Sequence, residues 1–396
     1  MSDVNYQRYL NRAIAAVPPS GIRRFFDLAS TMKGVISLGV GEPDFVTPYH
    51  IRQAAIDSLL NGETSYTPNR GLLELREEIS LYLDGRFGVK YDPATEMTVT
   101  VGASEAIDTA LRVILEPGDE VLIPEPSYVS YSPSVIFAGG TPVGVLTRAE
   151  KEFRLQAEDV RRAITPRTKA LILPYPNNPT GAVMEREDLE AIAEVVREHE
   201  LLVLSDEIYA ELRYGGHQHT AFATLEGMKP YTLTINCMSK SFAMTGWRVG
   251  YICGPAELIT VINKIHQYAI LCAPRQGQAA AIEALRAGRL NGYEDVEQMR
   301  ESYDRRRRLM VEGFRAMGLP CFEPKGAFYV FPSIEKTGLS SEEFCQRLLT
   351  EKKVACVPGT AFAPCGEGHI RCSYATGIDK LNIALERMEQ FIKALA

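Results

Sequence analysis

Residues 232–248 read TLTINCMSKSFAMTGWR, an apolar strand-like run that leads directly into Lys240. A lysine at the end of a buried strand is costly as an ammonium, so burial lowers its pKa and favours a Schiff-base amine. Eight positions further on, Arg248 supplies a permanent cation with planar donors that suit a phosphate. This pair indicates one ligand that is both an aldehyde and a phosphate, although a surface lysine followed by an arginine is also common.

Length and composition describe a globular protein with room for two domains. The chain has 396 residues, of which 45% are apolar and 23% charged, and its formal charge of −7 argues against a nucleic-acid-binding surface. No window approaches the roughly 18 consecutive apolar residues of a membrane span, and the polar start lacks the apolar core of a signal peptide. We therefore expect partners that are neither membranes nor nucleic acids.

Three other features of the composition bear on location and metal binding. None of the eight cysteines forms a Cys-x-x-Cys pair, which favours buried thiols in a reducing cytoplasm. His217 and His219 lie in a glycine-rich loop without a third ligand, so we expect surface residues and no metal. The basic run Arg305 to Arg308 falls in a helical pattern with acidic neighbours and is expected to be a solvated helix face.

Short apolar strands alternate with amphipathic helices from about residue 50 to about residue 285. This alternation predicts an α/β fold with a mostly parallel seven-stranded sheet flanked by helices, and ligands at the carboxyl ends of its strands. The predicted strands are 97–101, 120–123, 142–146, 170–173, 201–204, 231–235 and 249–253. The helices predicted between them are 105–115, 127–137, 157–164, 186–198 and 255–268.

The pattern changes after a long amphipathic stretch at 293–317. We expect residues 50–288 to form a large ligand-binding domain and residues 289–396 a smaller α+β domain. Residues 1–49 are too short to fold alone and are expected to join the small domain.

Polar residues cluster at three further predicted strand ends. Ala103 and Ser104 lie where a strand enters a helix, whose free N–H groups bind phosphate, although Ser104 alone fits an ordinary N-cap better. Asn178 lies in a turn-forming stretch and offers either a turn or a fixed amide donor. Asp206 ends an apolar strand, so it either pairs with a cation such as a protonated pyridine nitrogen or caps the next helix, on which Tyr209 would face the same side.

Several motifs together carry a resemblance to a known family. In chain order they are Gly41-Glu42-Pro43-Asp44, Tyr66 to Gly71, Asn178-Pro179-Thr180-Gly181, Asp206-Glu207-Ile208-Tyr209, Ser239-Lys240 with Arg248, and Arg371 to Tyr374. Their order and spacing resemble the class I and II aminotransferases, which are pyridoxal-phosphate enzymes of fold type I. The resemblance covers nearly the whole chain, and several motifs in register are far more specific than one.

The resemblance implies how the residues would hold the cofactor ring. Lys240 would bind pyridoxal 5'-phosphate through a Schiff base, and Asp206 would pair with the pyridinium nitrogen so that the ring acts as an electron sink. Tyr209 and Asn178 would hydrogen-bond the phenolic oxygen. Tyr128 would stack on the ring face.

The resemblance also implies a phosphate site that is completed by a second subunit. Its ligands would be Ala103, Ser104, Ser239 and Arg248, with Tyr66 from the neighbouring subunit. A homodimer with shared active sites follows from this arrangement. Many relatives have a serine three residues before the lysine, where this chain has Cys237, and a thiol is a weak donor.

Substrate binding and reaction are implied in the same way. Arg371 would bind the substrate α-carboxylate as a bidentate pair, assisted by Asn178 and the backbone near Gly41. The reaction would move an amino group from an L-amino acid to a 2-oxo acid, with 2-oxoglutarate as the expected acceptor, in ping-pong order. Candidates for the side-chain pocket are Ile22, Arg23, Tyr329 and Arg275.

Other classes fit this sequence less well. A C–S lyase of the same fold is the main enzymatic alternative. An NAD-dependent enzyme is disfavoured because residues 35–44 end an apolar run in glycines without the G-x-G-x-x-G pattern. A transcription regulator of this fold would need a DNA-binding domain, for which no residues remain. The overall resemblance is greatest to the prokaryotic aspartate, aromatic and N-acetyl-diaminopimelate aminotransferases.

Overall fold

The runs predicted as strands lie side by side in the computed structural model, which describes residues 4–19, 21 and 32–395. The pocket candidates Ile22 and Arg23 lie outside the described residues. The strands are β1 Ile36–Ser37, β2 Met97–Thr100, β3 Glu120–Glu125, β4 Thr141–Leu146, β5 Thr168–Leu173, β6 Leu202–Asp206, β7 Thr232–Cys237, β8 Gly250–Cys253, β9 Tyr329–Val330, β10 Val354–Ala355, β11 Val357–Pro358 and β12 Ile370–Ser373. The α-helices are α1 Arg12–Ala16, α2 Tyr49–Leu60, α3 Leu73–Phe87, α4 Gly102–Ile114, α5 Tyr131–Phe137, α6 Ala157–Ala163, α7 Arg186–His199, α8 Met238–Ser241, α9 Ala256–Ala269, α10 Arg275–Asn291, α11 Glu294–Ala316, α12 Ser341–Lys352 and α13 Ile378–Leu395.

The large sheet has seven strands in the order β2-β8-β7-β6-β5-β3-β4. β8 is antiparallel to both of its neighbours, and every other pairing in the sheet is parallel. Strand β7, which is third in this order, is buried along its whole length, as expected for a sheet with helices on both faces. The predicted α/β fold with a mostly parallel seven-stranded sheet is therefore confirmed.

Helix α10 was not predicted, although it spans 17 residues. Its glycines allow other groups to come close. A Cβ on Gly277 would lie 2.7 Å from Val249 Cγ2, and Gly288 packs against the ring of Tyr293. These positions lack the large apolar side chains on which a periodicity argument depends.

A second group of strands follows α11 in the chain. β11, β12 and β9 form a small antiparallel sheet, and the N-terminal strand β1 pairs in parallel with β10. Three buried thiols lie together beside this sheet: Cys345 Sγ and Cys356 Sγ are 3.3 Å apart, and Cys356 also contacts the thiol of Cys372 on β12. Six of the eight cysteines are buried, in agreement with the predicted buried thiols.

Two predictions about surface residues fail in whole or in part: the one for the loop histidines, and the one for the basic run, where Arg305 and Arg308 are exposed but Arg307 is not. The side chains of His217 and His219 are only 4% and 8% exposed, and each is paired with a carboxylate: that of Glu185 at 3.2 Å and that of Glu207 at 3.1 Å. In the basic run, Arg307 is buried with ion pairs on both sides of its guanidinium. Buried cations need such partners, so the acidic residues near the basic run were as compatible with buried ion pairs as with a solvated helix face.

Among residues 4–19, 21 and 32–395, no helix is long and apolar enough to cross a membrane. The same residues include no group of three or more His, Cys, Asp or Glu side chains placed to hold a metal ion.

Candidate active site

The site residues predicted from strand ends lie at one edge of the large sheet. Asp206 is the last residue of β6, and Lys240 lies in the short helix α8 directly after β7. Gly102 begins α4 directly after β2, and Asn178 follows β5. Because β2, β5, β6 and β7 run in the same direction, their carboxyl ends meet at this edge.

Lys240 carries its amine into a largely apolar environment. Nζ donates a hydrogen bond of 2.6 Å to the carbonyl oxygen of Gly41 and lies 5.8 Å and 5.7 Å from the ring centroids of Tyr209 and Phe328. Burial lowers the pKa of Lys240. A lysine with a lowered pKa is a better nucleophile and base near neutral pH, as the sequence predicted.

Asp206 is 4% exposed and is held by two hydrogen bonds. Tyr131 Oη donates to Oδ2 at 2.7 Å, and the backbone N–H of Ile208 donates to Oδ1 at 3.3 Å. Burial raises the pKa of Asp206 to about 6, and the two hydrogen bonds oppose that rise. The segment after Asp206 is a turn, so the predicted helix there, with Asp206 as its cap and Tyr209 on its face, is wrong.

Asp206→Asn is expected to stabilise the cofactor-free protein at neutral pH by up to about 3 kcal/mol. The pKa of Asp206 is about 6 in the folded chain against an ordinary 3.8, so the folded state binds the proton more tightly than the unfolded state. The stability of the wild type should therefore fall as the pH rises from about 4 to about 6, and it should stay lower above that range. Urea unfolding of both proteins at several pH values measures this difference.

Tyr131→Phe provides the control for this pH dependence. It removes a hydrogen bond that lowers the Asp206 pKa, so the stability of the cofactor-free protein should fall over a range that extends to higher pH. An identical pH dependence in the wild type and Asp206→Asn would contradict the raised pKa.

Tyr209 and Tyr329 close the side of the site next to Lys240. Their hydroxyl oxygens are 2.9 Å apart, and both rings are buried. A Cβ on Gly41 would lie 3.0 Å from Tyr329 Oη, so this backbone passes close to the tyrosine pair. The pocket candidate Tyr329 is therefore beside Lys240, together with the predicted Gly41.

Arg371, on β12, is 2% exposed and reaches across to the large sheet. Nη1 donates to Asn178 Oδ1 at 3.0 Å, and Nη2 donates to the carbonyl oxygen of Gly39. Its guanidinium carbon is 4.5 Å from the ring centroid of Tyr329 and 5.0 Å from that of Phe362. Nε is buried and has no hydrogen-bond partner among the described residues, and each Nη uses only one of its two N–H groups in these bonds, so donors remain for an anionic ligand.

Arg248 and the start of α4 form a cradle at the opposite end of the site. Arg248 has a left-handed backbone with φ of 55°, and Nη1 donates to the carbonyl oxygen of Thr245 at 3.0 Å. A Cβ on Gly102 would lie 3.0 Å from Arg248 Cζ, and a Cβ on Gly250 would lie 2.7 Å from the nitrogen of Ala103. Both glycines are therefore needed for the guanidinium and the helix end to approach each other.

Within the described chain, no side chain caps the start of α4. The helix begins at Gly102, so Ser104 is its third residue, and the alternative that Ser104 is an N-cap is wrong. Uncapped N–H groups at a helix start, next to an arginine, form an arrangement that binds phosphate.

Cys237 and Ser239 lie beside this cradle at the end of β7. Both are buried, and the Cys237 thiol is hydrogen-bonded to the Ser239 side chain. Burial raises the pKa of the Cys237 thiol, which therefore stays protonated near neutral pH.

The three remaining predicted site residues are Tyr128, Tyr66 and Arg275. Tyr128 lies beside Tyr131, with the ring centroids 5.7 Å apart in an edge-on arrangement. Tyr66 is 79% exposed. Arg275 pairs with Glu63 at 3.0 Å.

Some contributors to the site were not identified from sequence. Tyr131 is three residues beyond the predicted Tyr128, and the carbonyl of Gly39 is two residues before the predicted Gly41. Both lie close in sequence to predicted residues, and this closeness could have identified them. Phe362, which covers one face of Arg371, lies in no motif.

Comparisons with known proteins agree with this site. The family model described as Aminotransferase class I and II matches residues 33–388. A Bacillus subtilis (strain 168) relative, whose name gives no substrate, is 54% identical over 97% of this chain and 98% of its own length. The aspartate aminotransferase of Pyrococcus abyssi (strain GE5 / Orsay) is 48% identical over 95% of this chain and 96% of its own.

A solved structure supports the same conclusion. That of the Thermus thermophilus aspartate aminotransferase with maleate has a TM-score of 0.92 and 42% identity, and the match covers 96% of this chain and 99% of that one. Both the family model and the relatives therefore extend over the sheet, the cradle and β12. The chain belongs to the class I and II aminotransferases and is an enzyme that transfers amino groups.

Proposed function

We propose that this aminotransferase uses pyridoxal 5'-phosphate to move the amino group of an L-amino acid to 2-oxoglutarate. One observation carries the proposal: the sheet edge that holds Lys240 and Asp206 also holds Gly102, which contacts Arg248, and Asn178, which is hydrogen-bonded by Arg371. Asp206, Arg248 and Arg371 would be a ring partner, a phosphate anchor and a carboxylate clamp around one reactive amine. When bound, the cofactor supplies an electron sink for the carbanion that forms at the amino acid Cα.

The residues present fit this cofactor. The buried Asp206 carboxylate needs a cationic partner, which a protonated ring nitrogen provides. The cradle at Gly102 and Arg248 leaves donors for a phosphate. Tyr209 and Asn178 would donate to the phenolic oxygen, and Tyr128 would stack on the ring. Ala103, Ser104 and Ser239 would complete the phosphate site.

The chain's own residues would do the work of positioning and proton transfer. Lys240 would take the proton from the amino acid Cα and return it to the cofactor carbon, because its lowered pKa leaves it able to act as both base and acid. Arg371 would bind the α-carboxylate as a bidentate pair through its remaining donors, with Asn178 beside it. The rings of Tyr329 and Phe362 exclude water from this clamp.

The amino donor is proposed to be aspartate, an aromatic amino acid or a diaminopimelate-type amino acid. Relatives bear names of each kind: aspartate aminotransferase in Pyrococcus abyssi, aromatic-amino-acid aminotransferase 2 in Thermococcus litoralis at 47% identity, and probable N-acetyl-LL-diaminopimelate aminotransferase in Bacillus subtilis at 42% identity. Arg275 is the proposed cation for an acidic side chain, although its pairing with Glu63 means that a carboxylate would have to compete. Tyr329 lies near the clamp and is the second pocket candidate.

A panel of amino donors with 2-oxoglutarate tests this proposal. The purified enzyme is given each donor, and glutamate formation is compared with ammonia release from sulfur amino acids. Glutamate formation in parallel-line initial-rate kinetics is the expected result. Ammonia and pyruvate release without glutamate would indicate the C–S lyase alternative instead.

We also propose the assembly, domain division and location predicted from sequence. Tyr66 and Tyr268 are 79% and 87% exposed, which supports a homodimer in which Tyr66 reaches the neighbouring subunit's phosphate site. The mass of the assembly, measured by sedimentation, tests this. The pairing of β1 with β10 supports a small domain of residues 289–396 joined by residues 1–49, beside a large domain of 50–288. The buried thiols support a reducing cytoplasm.

Cys237→Ser is expected to tighten cofactor binding by about fivefold. A hydroxyl is a better donor than a thiol, and one neutral hydrogen bond contributes about 1 kcal/mol. The dissociation constant of pyridoxal 5'-phosphate from the cofactor-free protein, measured by equilibrium dialysis, checks this. The exposed Cys365→Ser is the control. Unchanged affinity in a stably folded Cys237→Ser variant would show that position 237 does not reach the phosphate.

A further inference from the structure

A cleft of about 440 Å³ lies between the loop at residues 213–218 and helix α11. It shares no residue with the candidate active site. Four arginines line it, Arg213, Arg300, Arg305 and Arg308, together with two acidic side chains, Glu301 and Asp304. Cations therefore outnumber anions in a concave surface that is large enough for a small organic ligand.

Arg213 has donors that its own surroundings leave unused. Its Nε and Nη1 are buried and have no hydrogen-bond partner among the described residues. A neighbouring carboxylate, that of Glu211, is already bound by Arg86 through two hydrogen bonds of 2.9 and 2.6 Å and by Tyr82 Oη at 2.9 Å. Burying unsatisfied guanidinium donors is costly, so an anion that reached them would lower that cost.

Two acidic residues near the cleft, Asp304 and Glu297, are each shared between arginines, whereas Glu301 forms no ion pair among the described residues. Asp304 contacts Arg308 at 3.2 Å and also Arg307 at 2.8 Å, so its charge is divided. Arg300 pairs with Glu297, which also binds Arg86.

The remaining lining arginine, Arg305, has no ion-pair partner in the part of the chain that the structure describes. It is exposed on the solvent side of α11. Together with the unused donors of Arg213, it leaves the cleft with cationic groups that an anion can bind.

We propose that this cleft binds a phosphate group, as inorganic phosphate or as part of a small phosphate ester. Planar guanidinium groups match the oxygen geometry of phosphate and bind it through paired hydrogen bonds. Arg213 supplies the buried donors, and Arg305 and Arg308 supply charge from α11. The site joins the loop after β6 to α11 and is independent of the cofactor phosphate cradle.

Calorimetric titration of inorganic phosphate into the cofactor-saturated enzyme tests this inference. Saturation with pyridoxal 5'-phosphate blocks the cradle at Arg248, and sodium chloride holds the ionic strength constant. We expect one phosphate per chain, with binding at least about tenfold weaker in the double variant Arg305→Gln/Arg308→Gln. Glycerol phosphate is then titrated in the same way. Tighter binding of glycerol phosphate indicates a site for an ester, and tighter binding of inorganic phosphate indicates a site for free phosphate.

A matched control uses an arginine of the same kind elsewhere. Arg347 is exposed and pairs with Glu351 at i,i+4, as Arg308 does with Asp304, so Arg347→Gln should bind phosphate like the wild type. Arg213→Gln should also lose binding, but Arg213 is partly buried, so the double variant of exposed residues decides the matter if this one fails to fold.

Two results would overturn the inference: no saturable phosphate binding to the wild type, or equal affinity in the wild type and the double variant. Transamination measured in the same samples keeps this test separate from the proposed function. The double variant should retain turnover because Arg305 and Arg308 lie outside the active site.

Discussion

Lys240→Ala lowers kcat for amino-group transfer by about 10⁴-fold, the upper range for loss of a positioned acid–base group, and leaves the chain folded. Among the described residues, the amine forms one hydrogen bond, to the Gly41 carbonyl, so its removal breaks one local bond and opens space beside two aromatic rings. No other described lysine is placed on the sheet edge next to Asp206, and the variant therefore has no substitute base.

Two measurements check this expectation apart from activity. After borohydride treatment, the wild type should gain the mass of the reduced cofactor at Lys240, whereas Lys240→Ala should not. Circular dichroism and thermal unfolding should show a folded variant. Lys393→Ala, which alters an exposed lysine paired with Glu389, is the control for loss of a positive charge. Transamination retained by Lys240→Ala would refute the assignment.

Arg371→Lys lowers kcat/KM for the amino donor by between about 10²- and 10³-fold. A lysine keeps the charge but has no planar fork, so it cannot donate to Asn178, Gly39 and a carboxylate together. Loss of one partner of a buried charged pair costs about 2–5 kcal/mol, which sets the size of the effect. We expect the change mainly as a higher KM, since the clamp holds the substrate in both ground and transition states.

A substrate without the α-carboxylate separates binding from damage to the fold. The wild type should prefer an amino acid to the matching amine by a large factor, and Arg371→Lys should lose most of that preference while its cofactor spectrum stays normal. Arg347→Lys, at an exposed position, should change neither rate. An unchanged preference in Arg371→Lys would show that the carboxylate binds elsewhere.

The sequence predicted the sheet and the reactive edge because both depend on local patterns. Apolar runs mark the strands, and residues such as Asp206 and Lys240 are expensive to bury at strand ends unless they are paired or functional. Tyr131 could not be assigned in the same way, since it bonds to Asp206 across 75 positions and only packing decides which hydroxyl arrives there.

The errors arise from two features that a sequence pattern does not show: an unusual backbone conformation, and pairing of side chains across the fold. Gly102 adopts a φ of +75° and starts α4 two residues before Ser104, a conformation that other residues rarely adopt. His217 and Arg307 looked exposed because charged and glycine-rich stretches usually are, but each is covered and paired through the tertiary fold. Ion pairs between distant parts of the chain produce no periodic pattern in the sequence.

Strand β12 places two chemically different groups next to each other, Arg371 in the site and Cys372 among the buried thiols. Neighbouring side chains on a strand point to opposite faces, so opening of this short strand would expose both of them. The rate at which a thiol reagent labels Cys372, compared with the exposed Cys365, therefore reports the opening frequency of the substrate clamp. The enzyme carries a natural reporter thiol for this motion, and no cysteine has to be introduced.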